Sequence, residues 1–179
     1  MSANIKRLEL LQDLMKNHDK HFPKVQFNIG TWANRLYDTV FKPKQAKTCV
    51  SAACALGSAA CYRPFIKEGL QLFNDVDWGV LSVKFGDYED FEAGEKFFGI
   101  NSSESAWLFN PGEYGTSTNN VKPQMVAYRV AALIQAYTVF NKPLFNDSYE
   151  LRATSADYGL KKPTEADIKE LFADLITTS

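Results

Sequence analysis

One stretch constrains this chain more than any other: Thr48-Cys-Val-Ser-Ala-Ala-Cys-Ala-Leu-Gly-Ser-Ala-Ala-Cys-Tyr62. It holds all three cysteines of the chain, and eight of its other twelve residues are Ala, Ser or Gly. A segment this thin lets neighbouring backbones come close. Read as a helix, it has Thr48 as N-cap, because a hydroxyl can accept from the free N–H groups of a first turn. Ala53, Gly57 and Ala60 then form a smooth ridge, with Cys54 and Cys61 as small hydrophobes beside it. The expected architecture is mainly α: a single compact helical domain, residues 1–179, packed around this buried small-residue helix, with at most a small β-hairpin or sheet.

The cysteines do not read as staples or zinc ligands. On a helix, Cys54 and Cys61 share a face and Cys49 lies off it, so a disulfide is not favoured. No C-x-x-C pair is present, and no histidine follows at zinc-finger spacing. The expectation is reduced thiols in a soluble, cytoplasmic protein. A chain of 179 residues can bury a core without disulfides. No apolar run approaches the roughly 18 residues of a membrane span, and Met1 to Arg7 leads into an amphipathic pattern, not a signal core.

Periodicity places the other elements. Leu8, Leu11 and Met15 predict a helix over 2–17. Pro23 disfavours helix at Phe22. Thr31 is placed to cap a short helix running to Tyr37, with Trp32 as a core anchor. Phe41 to Lys47 reads as a basic loop, and Phe65 to Phe73 as a short helix. Leu81, Val83 and Phe85 alternate with Ser82 and Lys84, the pattern of a strand. Gly86-Asp87 then marks a turn. Asp87 to Phe98 reads as a helix stopped by Gly99, and Ser102 caps the next one, which carries Trp107, Leu108 and Phe109. Pro123 opens the longest helix, with Val126, Val130, Leu133 and Tyr137 on one face. A short strand at Tyr149–Arg152 and a last helix with the capping pattern Thr164-Glu-Ala-Asp167 complete the expectation.

Charge excludes some functions. Residues 1–73 hold 11 Lys+Arg against 5 Asp+Glu, and residues 74–179 hold 9 against 16. The helix–turn–helix spacing near residue 100 invites a DNA-binding reading. Residues 74–113 carry 9 acidic against 2 basic groups, however, which would repel phosphate. Asn74 to Gly79 fails as a calcium loop, because Val80 stands where glycine is required and Gly86 where a bidentate Glu is required. His18 and His21, at i, i+3, sit at a helix end, where a positive charge suits the dipole better than a metal does. No metal and no cofactor are expected.

Three constellations carry chemistry. Cys49, as first residue of the small-residue helix and beside Lys44 and Lys47, would have a lowered thiol pKa. With His21 (or His18) as base and Asn28 (or Asn34 or Asp38) as orienting group, it would make a cysteine-dependent hydrolase or transferase. Lys44, Lys47, Thr48, Ser51, Tyr62 and Arg63, with Phe41, Lys42, Phe65 and Lys67, mix cations and aromatics around a helix N-terminus. That suits a small anionic ligand or a nucleotide. Trp78, Tyr88, Trp107 and Tyr114 among carboxylates suit contact with a basic protein.

An ordered series of motifs runs through residues 27–134. It comprises Phe27-Asn28 with Trp32, then Cys49-x-x-x-Ala53-Cys54-Ala-x-Gly57-x-Ala59, then Pro64 with Gly69-Leu70, Phe97-Phe98-Gly99, Leu108-Phe109, and Val126-Ala127-x-Arg129. The series resembles a family of small proteins from tailed phages and bacteria that has no assigned activity. The resemblance implies a phage-related setting, the host-cell cytoplasm, and a binding role toward a host or phage protein.

Overall fold

The computed structural model describes residues 3–35, 50–75 and 80–145. Helices hold more of these residues than strands do, as expected. The strands nevertheless build a six-stranded sheet, which exceeds the hairpin or small sheet expected. No helix among the described residues is long and apolar enough to cross a membrane.

The first helix, α1 (Ile5–Lys16), is capped by the Asn4 side chain, which accepts from the Arg7 N–H at 3.2 Å. It buries Leu8, Leu11, Leu14 and Met15. The short α2 (His18–His21) turns the chain into β1 (Gln26–Phe27). β2 (Ala33–Arg35) stands where a helix after Thr31 was expected. Its backbone is taken by two strands distant in sequence, which outweighs local helix propensity.

The main correction concerns the small-residue stretch. Its first part is a strand, β3 (Val50–Ala53), and the helix α3 (Ala55–Cys61) begins only after it. β3 runs parallel to β1 (Gln26↔Ala52, Phe27↔Ala53) and antiparallel to β2 (Ala33↔Ala53, Asn34↔Ala52). Sequestered between two strands, the backbone of β3 makes its hydrogen bonds sideways rather than to its own next turn. Alanine side chains suit a strand crowded by neighbours because they demand no room.

After α4 (Arg63–Lys67) the chain enters β4 (Gln71–Asp75), so the helix expected to Phe73 stops early. β5 (Val80–Phe85) is the expected strand and pairs with β4, with β2 and with β6 (Tyr88–Glu89). The sheet order is β1-β3-β2-β5-β4, with β6 beside β5.

α5 (Asp90–Phe98) ends at Gly99, whose φ of 66° is the left-handed C-cap expected of it. α6 (Ser102–Phe109) is capped by Asn101 in a capping box with Glu104, one residue earlier than the expected Ser102. α7 (Pro123–Val139) is the long helix opened by Pro123. The strand expected at Tyr149–Arg152 and the helix from Thr164 lie outside the described residues, as do Phe41 to Lys47 and Trp78.

One apolar cluster joins α1, α3, α5, α6 and α7. Phe65, Phe97, Phe98 and Phe109 run through it as a chain of rings 5.0–5.9 Å apart. Arg7 lies over the Phe97 ring at 4.1 Å and bonds Glu68 at 2.7 Å.

Candidate functional site

The β3–α3 junction is where the sequence concentrated its chemistry, and the sheet, α2 and α5 meet there. Cys54 is the N-cap of α3, and its Sγ accepts from the Gly57 N–H at 3.3 Å. Hydroxyl and carboxamide side chains usually fill this position. A helix start draws a thiol toward the thiolate, but Cys54 is fully buried. Burial prevails and pushes its pKa up to about 11, the Asp90 carboxylate adding to the effect. Desolvation likewise pushes Cys61 up to about 12. Both thiols are therefore protonated at neutral pH.

Gly57 explains the thinness of the stretch. A Cβ built there would stand 1.5 Å from the Trp32 carbonyl oxygen, so only glycine fits. The close approach is between helix and bend, not between two helices. Trp32 is half-buried and meets the Phe91 ring edge-on at 4.8 Å.

Four residues after Cys54, Ser58 faces His18. Ser58 Oγ lies 3.2 Å from His18 Nε2, and His18 Nδ1 lies 3.4 Å from Asp19 Oδ1. Phe22 and Phe27 enclose the imidazole at 5.6 and 5.4 Å. The connectivity is that of a serine–histidine–aspartate relay, but its surroundings are not catalytic. Ser58 and His18 are each 1% exposed, so no substrate carbonyl reaches the hydroxyl. The Asp19 side chain is 96% exposed, where water competes for its oxygens. Burial lowers the His18 pKa, keeping the ring neutral, and Asp19 opposes this in part. The pair closes a buried polar gap between α2 and α3.

The residues expected to form a site separate as follows. Cys49, Lys44, Lys47 and Thr48 lie outside the described residues, as does Asp38. Ser51 sits on β3. Residues 50–53 are strand, so the helix expected to run on from Cys49 begins only at Ala55. Of the anion-directed N–H groups expected at Thr48–Ser51, those of Val50 and Ser51 belong to a strand instead. His21 packs edge-on against Tyr62 at 5.2 Å, and its Nε2 lies 3.7 Å from Asp13 Oδ2. Asn28 turns its side-chain oxygen to the Gly30 N–H at 3.0 Å, a local turn. Tyr62 is half-buried and Arg63 exposed, while Phe65 is fully buried core. Trp107 and Tyr114 are also interior, which removes them from the expected acidic–aromatic surface and leaves Tyr88, 40% exposed, on it. Among the described residues, no group of three His, Cys, Asp or Glu could hold a metal.

Sequence reasoning missed two buried polar sites. The Ser58–His18 contact spans 40 residues, and no spacing rule reaches that far. Glu104 is 0% exposed. It accepts from Tyr137 Oη at 2.6 Å, the Leu144 N–H at 2.8 Å and the Asn101 N–H at 3.1 Å. Desolvation raises its pKa, against the pull of those donors. Asn101 donates in turn to the Phe145 carbonyl, so the α6 capping box also holds the chain leaving α7. Arg129 is anchored similarly, donating to the Trp107 and Glu113 carbonyls and lying 3.5 Å over the Tyr114 ring.

No family model, curated protein or solved structure matches the chain.

Proposed function

We propose that the chain is a non-enzymatic binding protein, one domain over residues 1–179 and phage-encoded. It acts in the host-cell cytoplasm by contact with a host or phage protein or with a small anionic ligand. One observation carries this reading: the described nucleophile-type groups at the junction, Cys54 and Ser58, are sealed in the core, Ser58 together with the base it meets, His18. They serve packing and hydrogen bonding. The surface offers contact chemistry instead. Arg63 is exposed beside Tyr62, an arrangement that suits an anion. Tyr88 stands out between Asp87 and Glu89, which suits a basic protein. The ordered motifs over residues 27–134 support the phage setting.

The test compares the wild-type chain with Cys49→Ala and His21→Ala as immobilised baits in host-cell lysate. The expected result is the same saturable partner on all three. Loss of the partner from Cys49→Ala, or a covalent adduct accumulating on Cys49, would replace this reading with thiol catalysis.

A further inference from the structure

The geometry points to the α2–β1 segment, residues 17–28, as a cover over α3 that loosens when His18 takes up a proton. The segment is anchored to α1 at Asn17 and His21, both of which meet Asp13, but its polar ties to the sheet and to α3 are few. β1 pairs with β3 over two residues. The Asn28 N–H bonds the Ala53 carbonyl at 3.0 Å. The remaining polar tie from α2 to α3 is the contact of His18 Nε2 with Ser58 Oγ. Segments held by few bonds open ahead of the whole fold.

The tautomer follows from the hydrogen-bond partners. Nδ1 faces the Asp19 carboxylate, so it carries the proton, and Nε2 accepts from the Ser58 hydroxyl. A second proton has only Nε2 to occupy. It would point at Ser58 Oγ, forcing the hydroxyl hydrogen to turn away. It would also place a cation between the Phe22 and Phe27 rings.

No buried anion is there to receive that charge among the described residues. From its own helix, His18 feels Asp19, which is solvent-exposed, and His21, which repels. From α1, Asp13 lies against His21 rather than His18. From α3 it meets Ser58, and from the β1 side Phe27, neither of them charged. The depressed basicity of the ring agrees with this placement. Opening would relieve the charge by hydrating it and would bare Phe22, Phe27 and the Ser58 side of α3. A histidine so placed converts mild acidification into a change of surface.

Amide hydrogen exchange of the full chain at pH 7.5 and pH 5.0, corrected for intrinsic exchange chemistry, tests this. Peptides covering 17–28 are expected to lose at least tenfold in protection at the lower pH, while peptides from α7 keep theirs. His18→Gln keeps a hydrogen-bonding group for Ser58 but cannot titrate, and it should show no such change. His21→Gln should respond like the wild type. If His18→Gln does not fold, the His18 ring resonances of the wild type must titrate with the same midpoint as the exchange change. The proposal is overturned by pH-independent protection in the wild type, by a response that survives in His18→Gln, or by a loss of protection that spreads equally into α7.

Discussion

The α1–α7 pair and the β3–α3 junction solve opposite packing problems. α1 and α7 lie together through large side chains: Leu8, Leu11, Leu14 and Met15 on one, Val126, Val130 and Leu133 on the other. Their stability comes from apolar volume, and a hole there would cost transfer energy plus a cavity. Apart from Leu56, the buried residues of β3 and α3 carry little volume. Ala52, Ala53, Ala55, Ala59 and Ala60 are buried because they let other backbones in, and Gly57 is obligatory because the Trp32 carbonyl fills the space of a Cβ. One region is sensitive to removal of atoms and the other to their addition.

Paired substitutions sharpen that contrast. The largest expected effect is that of Gly57→Ala, whose new methyl meets backbone rather than a movable side chain. Its cost should lie at or above the top of the about 1–3 kcal/mol usual for overpacking, read as a lower urea midpoint or as failure to fold. Leu11→Ala in α1 should cost about 3 kcal/mol by the same measurement. If Gly57→Ala were nearly neutral while Leu11→Ala cost its full amount, the junction would not be packed as described. Glu104→Ala removes the carboxylate that accepts from the Leu144 and Asn101 N–H groups and from the Tyr137 hydroxyl. A loss of about 2 kcal/mol is expected.

The smallest effects are those of pH, and they run in opposite directions. His18 binds its proton less readily folded than unfolded, so stability falls as pH drops below the ordinary 6.5 toward its lower folded value. Glu104 holds its proton more readily folded, so its contribution falls as pH rises above the ordinary 4.5 toward its higher folded value. Urea midpoints between pH 4 and 8 should lose the first slope in His18→Gln and the second in Glu104→Gln. A slope unchanged by its own substitution would assign the titration to another group.

The same contrast explains what the sequence discloses. α1 and α7 follow from side-chain periodicity, since Leu8, Leu11 and Met15 or Val126, Val130 and Leu133 have one burial geometry that suits them; α5 does so only from Asp90, because Tyr88 and Glu89 of the expected helix pair with β5 as β6. β5 follows from strict alternation. The junction does not, because Ala, Ser, Gly and Cys carry no apolar stripe to reveal a period. Alanine favours helix locally, and only the flanking β1 and β2 turn residues 50–53 into a strand. The need for close approach at Gly57 was readable from its size; the partner, a bend at Trp32, was not. Local spacing also could not show that His18 rather than His21 is the buried histidine. That depends on Ser58, 40 residues away.

The packing role of the junction is tested by the alkylation rate of each cysteine in the native chain across pH 6 to 9, read by peptide mass spectrometry. If the junction is packing, Cys54 and Cys61 stay unlabelled throughout this range and react only after denaturant is added, in keeping with thiols raised to about 11 and about 12. Under the binding reading, Cys49 labels no faster than a free thiol of pKa about 8.5. Rapid labelling of Cys54 at neutral pH would contradict its burial at the α3 cap, and rapid labelling of Cys49 would contradict the non-enzymatic proposal.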